Sequence, residues 1–177
     1  MLRQVVLLRG INLGSRNRIA MPALREAFEN AGFEDVQTYL QSGNVVLSSR
    51  AAPTTVARKA KGLVADRFGL EIDVVVRTRD ELAEVVRRNP LGKVAKDPKR
   101  YQVSFLDRKP GPKVVEELAA LATGDERLVA DGRELYAWHP AGVARSKLWA
   151  ALAGRGLGVT ATARNWTTVT KLLELAE

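Results

Sequence analysis

The chain has 177 residues, of which 46% are hydrophobic and 27% charged, a composition typical of a folded globular protein. It has no cysteine, which excludes disulfides, thiolate metal sites and cysteine nucleophiles, and its single histidine excludes a His-rich metal centre. The formal net charge is +8, and no apolar run is long enough for a signal-peptide core or a membrane span, so we expect a cytoplasmic protein.

The first 78 residues predict one β-α-β-β-α-β unit. Apolar and β-branched runs indicate strands at 4–9, 36–40, 45–49 and 71–76, and helical spacing indicates helices at 22–31 and 54–68. Pro22 suits the first turn of a helix, and Gly69 stands just past the end of one. The turn 41–44 joins the second and third strands, with Gly43 where a positive φ costs least.

Residues 79–100 are the expected connector between two units. They begin with a short predicted helix at 80–88, which stops before Pro90. From Arg87 to Lys113 there are nine basic and two acidic residues, so this stretch carries a net charge of +7, almost the whole excess of the chain. Such a stretch is either a solvated connector or a surface that faces an anionic partner.

The same order of elements returns over residues 101–177. The patterns predict strands at 101–106, 127–130, 134–138 and 158–162, helices at 112–122 and 143–153, and a last helix at 166–177. Asp131-Gly132 between two strand-like runs is a strong hairpin signal. The expected fold class is therefore α/β (α+β), with two tandem ferredoxin-like βαββαβ units and a C-terminal helix in the second.

This topology predicts which loops lie together. Right-handed crossovers place the third strand of each unit between the first two. In the first unit the loop 9–12 should then lie beside the turn 41–44. In the second unit, residues 139–142 and the chain at 164–165 should share the other end of the sheet.

Two glycine-containing loops of the first unit are candidate anion sites. The loop 9–18 is rich in hydrogen-bond donors and leads into a helix, an arrangement suited to anions. It has neither the P-loop nor the Rossmann spacing. For this loop and for the turn 41–44, the structural alternative is that Asn and Gly only satisfy backbone geometry.

In the second unit, Ser146 and Lys147 are adjacent on a predicted helix. Neighbouring helical residues point about 100° apart, so anion binding is a better hypothesis for this pair than Ser-Lys catalysis. Asn165 is a good N-cap for the last helix, which leaves Arg164 unexplained. His139 is expected to end a strand, and acidic pairs such as Asp125-Glu126 are interpreted as solvated surface.

Aromatic residues of the second unit have two interpretations. Tyr136 and Trp138 lie two apart on one predicted strand, with Tyr101 and Phe105 on a neighbouring one. Aromatic side chains on a sheet of this topology can stack on RNA bases. We favour the other interpretation, in which they pack the two units or the terminal helix together.

Together these motifs resemble the bacterial family known as domain of unknown function 1697. Its members begin with a strand running into Leu-Leu-Arg-Gly-Ile-Asn and continue with a Thr-Tyr-x-Gln-Ser-Gly-Asn-Val hairpin, which here are residues 7–12 and 38–45. Further matches are 21–24, 32–33, 89–90, 146–148, 164–169 and 171–172. One departure is Ser15, where relatives usually continue Gly-Gly into Lys-Asn-Lys. The resemblance implies a two-part fold of ferredoxin-like units and carries no established activity.

The polar residues of these motifs are hydrogen-bond donors and cations, a set suited to holding an anion and poorly suited to acid–base catalysis. They are Arg9, Asn12, Gln41, Ser42, Asn44, Ser146, Lys147, Arg164 and Asn165, to which we add Arg16 of the same loop.

We predict a non-enzymatic protein that binds a phosphate-bearing partner without a cofactor or metal. Nucleic acid is the leading candidate, with phosphate contacts from Arg87, Arg88, Lys99 and Arg100. One alternative is an enzyme acting on a small phosphorylated or carboxylated metabolite through electrostatic stabilisation. The other is a protein-interaction module.

Overall fold

The chain runs through strands and helices in an order that repeats once. The structure, a computed structural model, describes residues 1–177. The first elements are β1 (Leu2–Leu8), α1 (Met21–Asn30), β2 (Glu34–Tyr39), β3 (Asn44–Ser49), α2 (Pro53–Phe68), β4 (Val74–Thr78) and α3 (Arg79–Arg88). The later ones are β5 (Tyr101–Leu106), α4 (Pro112–Ala120), β6 (Arg127–Asp131), β7 (Glu134–Trp138), α5 (Lys147–Ala153), β8 (Ala161–Asn165) and α6 (Trp166–Leu175). None of the six helices combines the length and apolarity that crossing a membrane requires.

The strands form two four-stranded antiparallel sheets. Their orders are β2-β3-β1-β4 and β6-β7-β5-β8. In both sheets the third strand of the unit lies between the first two, as right-handed crossovers require. The predicted fold class, two tandem ferredoxin-like βαββαβ units, is confirmed.

Two compact units are present in space. The first contains Met1–Ala83 and Leu172–Glu177, and the second contains Glu84–Lys171. The last six residues belong to the first unit because Arg3 donates from Nη2 to the Leu175 carbonyl at 3.3 Å and Arg79 pairs with Glu177 at 2.8 Å. Compact units and sequence repeats need not share bounds, so the segmentation into 1–78, 79–100 and 101–177 stays a prediction.

Each unit has its own apolar core. In the first, alternate residues of β1 and β3 face the buried sides of α1 and α2; the central members are Val6, Leu8, Leu24, Phe28, Val45, Leu47, Val56 and Val64. In the second, β5, β7 and β8 pack with α4 and α5 through Leu106, Leu118, Leu135, Ala137, Leu148, Leu152 and Ala161. Full burial of a Leu or Phe side chain contributes roughly 1.5–3 kcal/mol, so each core supports its own sheet.

Three elements begin three or more residues after their predicted starts. The predicted strand 158–162 is β8 at 161–165, because Thr160 is held in a loop by hydrogen bonds with Asp107 and pairing begins with Ala161 opposite Leu106. The predicted helix 143–153 begins at Lys147, because the Ser146 hydroxyl accepts from the Trp149 N–H at 3.0 Å and caps it. β4 begins three residues after the predicted start at 71.

The aromatic side chains of the second sheet are interior. Tyr101, Phe105, Tyr136 and Trp138 are all buried. The Tyr101 ring stacks on Trp166 at 4.7 Å between centroids and tilts against Tyr136 at 6.5 Å. Packing is therefore the correct interpretation of these residues, and they are not available to stack on bases.

Candidate functional site

The loop 9–18 is closed by its own hydrogen bonds. Asn12 has a φ of 52°, and its Oδ1 accepts from the Ile19 N–H at 2.8 Å. Its Nδ2 donates to the Ile19 carbonyl at 3.1 Å and to the Gln41 carbonyl at 2.7 Å. The loop and the turn 41–44 are thus neighbours, as the topology predicted, and the Asn12 amide joins them through its bond to the Gln41 carbonyl.

The turn 41–44 is likewise organised from within. Asn44 is buried and donates to the Tyr39 carbonyl at 2.8 Å and to the Ser42 hydroxyl at 3.1 Å. Gly43 has a φ of 91°, and a Cβ there would lie 2.7 Å from Ile11 Cδ1. The absence of a side chain at Gly43 therefore allows close packing against Ile11, and Asn44 stabilises the turn by hydrogen bonds.

Three of the remaining candidates in the first unit face solvent. Gln41, Ser42 and Arg16 are exposed. Arg9 is half-buried, and its backbone N–H donates to the Asp73 carbonyl at 3.0 Å. The motif therefore mixes residues that hold the loop with residues that face solvent.

Arg87 and Arg88 lie at the end of α3 and share one carboxylate. Arg87 donates from Nε to Glu84 Oε2 at 2.8 Å, and Arg88 donates from Nε to Glu84 Oε1 at 3.0 Å. These two hydrogen bonds lower the pKa of Glu84 to about 2. Arg88 also pairs with Asp131 at 3.0 Å. Much of the positive charge of this pair is therefore compensated within the second unit.

The segment 93–100, which we call the basic segment, carries less compensated charge. Lys93, Lys96 and Lys99 are exposed and form no ion pair. Arg100 lies 3.7 Å from Asp97, and its Nη1 donates to the Pro140 carbonyl. The Arg100 carbonyl accepts from the His139 N–H at 3.0 Å. These contacts fix the basic segment beside the loop that follows β7.

That loop forms one wall of a cleft of about 730 Å³, which we call the loop cleft. Residues 140–142 and 144–146 line one side, and the turn 123–126 lines the other. The lining contains one cation, Arg145, which is exposed and forms no ion pair. It also contains the hydroxyl of Ser146 and the carboxylates of Asp125 and Glu126.

Glu126 ties the walls of the loop cleft together. Its Oε2 accepts from the Ser146 hydroxyl at 2.6 Å and pairs with His139 Nδ1 at 2.6 Å. Its Oε1 accepts from the Thr123 N–H at 3.2 Å. Burial alone would raise the pKa of Glu126, but these hydrogen bonds lower it below its ordinary value. An ionised carboxylate therefore joins the turn 123–126, the end of β7 and the start of α5.

His139, Glu126 and Ser146 do not form a nucleophilic triad. His139 is fully buried, and pairing with the ionised Glu126 places its proton on Nδ1. The Ser146 oxygen is 3.4 Å from that same nitrogen, whereas a triad serine faces the opposite ring nitrogen. His139 Nε2 is buried without a hydrogen-bond partner. The network therefore positions the cleft walls and does not activate the serine.

The three remaining candidates have different surroundings. Arg164 is buried on β8, where its Nη1 donates to Thr162 Oγ1 and to the Ala163 carbonyl, each at 2.8 Å. Burial lowers its pKa to about 10, so the guanidinium stays charged at neutral pH. Asn165 Oδ1 accepts from the Thr168 N–H at 2.9 Å, which makes it the predicted N-cap of α6. Lys147 is exposed at the start of α5.

Glu126 is the residue whose role the sequence does not reveal directly, because an adjacent acidic pair such as Asp125-Glu126 is typical of solvated surface. The hairpin register contains the signal that could have found it. Arg127 pairs with Trp138 across β6 and β7, so the next residues outward, Glu126 and His139, lie opposite one another. The Asp131-Gly132 turn sets this register from the sequence.

Comparison with known proteins identifies a family and a fold. A family model described as "Protein of unknown function (DUF1697)" matches residues 1–136. The conserved bacterial protein SP0830 from Streptococcus pneumoniae has a similar structure, with a TM-score of 0.80 and 21% sequence identity over 99% of each chain. At that identity the likeness extends to the fold alone. No curated protein matches the sequence.

Proposed function

The chain belongs to the family described as Protein of unknown function (DUF1697), and since that description names no activity, we propose a function from the surface itself: sequence-independent binding of nucleic acid. The observation that carries the proposal is the basic segment. Its lysines 93, 96 and 99 face solvent without ion pairs, and Arg100 holds the segment beside the loop cleft. A cytoplasmic location, where bacterial nucleic acid lies, is part of the same proposal.

Contacts of this kind favour phosphates over bases. Lysine side chains that contact phosphates fix the register of a nucleic acid without reading its sequence. Base readout in single strands commonly uses exposed aromatic rings, whereas the aromatic residues of the second sheet are buried. The partner is therefore recognised by its charge.

The strength of this interaction should depend steeply on salt. Each phosphate neutralised on duplex DNA contributes a slope of about 0.9 to the fall of log K with log salt. If Lys93, Lys96 and Lys99 each neutralise one phosphate, together they contribute about 2.7 to that slope. Arg87 and Arg88 should contribute less, because Glu84 and Asp131 already pair with them.

The test is a fluorescence-anisotropy titration of labelled duplex and single-stranded DNA and RNA at about 50 and 200 mM salt. The triple variant Lys93→Gln, Lys96→Gln, Lys99→Gln should bind more weakly, with a slope smaller by about 2.7 on duplex DNA. The matched control is Arg50→Gln, Arg58→Gln, Lys59→Gln, which removes the same charge from exposed, unpaired residues of the first unit. Equal losses in both triple variants, or no binding at low salt, would overturn the proposal.

The loop cleft favours a second candidate, a small phosphorylated or carboxylated ligand. Its volume of about 730 Å³ is within the range of ligand pockets, about 300–1,000 Å³. Arg145 would supply the anion contact there. Isothermal titration with a nucleoside monophosphate or a dicarboxylate separates the candidates. Binding of either small molecule in the absence of nucleic-acid binding would select this one.

A further inference from the structure

We infer that the loop cleft receives the end of a nucleic-acid strand and holds its terminal phosphate monoester at Arg145. This inference rests on the proposed function and adds to it the part of the polymer that is recognised. A monoester carries a charge of about −1.5 to −2 near neutral pH and has three acceptor oxygens. A diester within the strand carries only one charge.

The loop cleft adjoins the path that the proposed function gives to the polymer. Arg100, at the end of the basic segment, donates to the carbonyl of Pro140, and Pro140 lines the cleft. A strand whose phosphates follow the exposed lysines therefore arrives at the wall that carries Arg145.

The opposite wall does not continue this basic path. The turn 123–126 has no basic residue and presents the exposed carboxylate of Asp125, which repels phosphates. Arg127 follows the turn outside the cleft lining, and its guanidinium donates to the Glu126 carbonyl at 2.9 Å. Within the cleft lining the positive charge is therefore confined to Arg145, on the wall that the basic segment adjoins, and the wall opposite carries carboxylates. A strand whose phosphates reach Arg145 has no cation of the lining to continue to, which suits a site for an end.

The loop cleft is built before any ligand arrives. Glu126 joins both walls through Thr123, His139 and Ser146. Binding therefore requires little additional ordering of the loops and side chains that form the cleft. Arg145 has no partner within the protein to give up. Asp125 can accept a hydrogen bond from a sugar hydroxyl or a base amino group of the terminal nucleotide.

The experiment compares oligonucleotides of one sequence that carry a 5′-phosphate, a 3′-phosphate or only hydroxyl ends. One of the phosphorylated ends should bind roughly tenfold more tightly than the hydroxyl ends, as expected for a charge-assisted hydrogen bond at an exposed site. Arg145→Gln should abolish this preference. Arg58→Gln, which removes the charge of an exposed, unpaired arginine outside the cleft lining, should preserve it.

The triple lysine variant separates the two proposals. It should weaken binding of all three oligonucleotides by the same factor and leave their ratio unchanged. Nucleic-acid binding with no end preference in the unchanged protein, or a preference that survives Arg145→Gln, overturns the strand-end inference while the proposed function stands. Absence of binding to every oligonucleotide overturns both.

Discussion

Replacing Gly43 with alanine tests whether the Gln-Ser-Gly-Asn turn serves packing. Gly43 has a φ of 91°, and an added Cβ would lie 2.7 Å from Ile11 Cδ1 and 2.9 Å from Leu8 Cβ. The Ile11 methyl can move away because it is the end of a flexible side chain. Leu8 Cβ cannot move without the backbone of β1, so the clash must be relieved by shifting the turn or the strand.

The magnitude has two parts. Placing a residue with a Cβ in left-handed backbone costs about 1–2 kcal/mol, and overfilling a packed core costs about 1–3 kcal/mol more. Gly43→Ala should therefore lower the free energy of unfolding by about 2–5 kcal/mol. Gly32 supplies the matched control, because its φ is 92° and its added Cβ would meet nothing within 4 Å. Gly32→Ala should cost only the backbone part, about 1–2 kcal/mol.

The assay is urea unfolding followed by circular dichroism for the unchanged chain and both variants. The informative quantity is the difference between the two variants, since the backbone cost is common to both. A Gly43→Ala loss within about 0.5 kcal/mol of the Gly32→Ala loss would show that the turn adjusts freely. The packing explanation of the motif would then be refuted.

Two further predictions concern pH. The pKa of Glu126 is lowered in the fold, so its carboxylate adds stability above the ordinary pKa of 4.5 that is lost as pH falls through the folded value. Glu126→Gln should cost about 1–3 kcal/mol at pH 7 and flatten the acid limb of urea unfolding; an unchanged limb contradicts this. The neighbouring exposed Asp125 is the control at pH 7, where Asp125→Asn should not cost this stability. Burial raises the pKa of Tyr101 to about 12, so the neutral phenol adds stability below pH 10 that is lost as pH rises towards 12. Tyr101→Phe should remove up to about 3 kcal/mol of this loss of stability at alkaline pH. The measurement is the free energy of unfolding in urea at pH 8 and above pH 10. If that free energy falls as steeply with pH in the variant as in the unchanged chain, the phenol of Tyr101 is not responsible.

Most of the fold could be predicted because its signals are local. The hairpin turns depend on Gly43 and on Asp131-Gly132, and the apolar spacing of 54–68 defines α2 within one residue. The start of β8 could not be predicted in this way. Val159 and Thr160 have strand-forming side chains, but Asp107, more than fifty residues away, holds Thr160 in a loop.

In the candidate site, too, only the roles that depend on nearby residues could be predicted from the sequence. Asn165 could be recognised as a cap because its partner, Thr168, is three residues away. The exposed polar residues of the first motif could be named from the sequence, but the sequence could not tell that the Asn12 and Asn44 amides are used inside the protein. Glu126 was missed because its partners are reached through the hairpin and through the start of α5.

The sequence by itself determined the order of elements, the two repeated units, the turns and the concentration of positive charge at 87–113. Each of these depends on neighbouring residues, whose backbone preferences and charges act over short distances along the chain. Only the tertiary structure decided which of those charges are compensated and where a cleft forms. Arg88 of α3 pairs with Asp131 of β6 while Lys93, Lys96 and Lys99 remain unpaired, and one carboxylate, Glu126, joins the walls of the loop cleft. Those outcomes depend on distances between side chains that are far apart in sequence, and folding alone sets such distances.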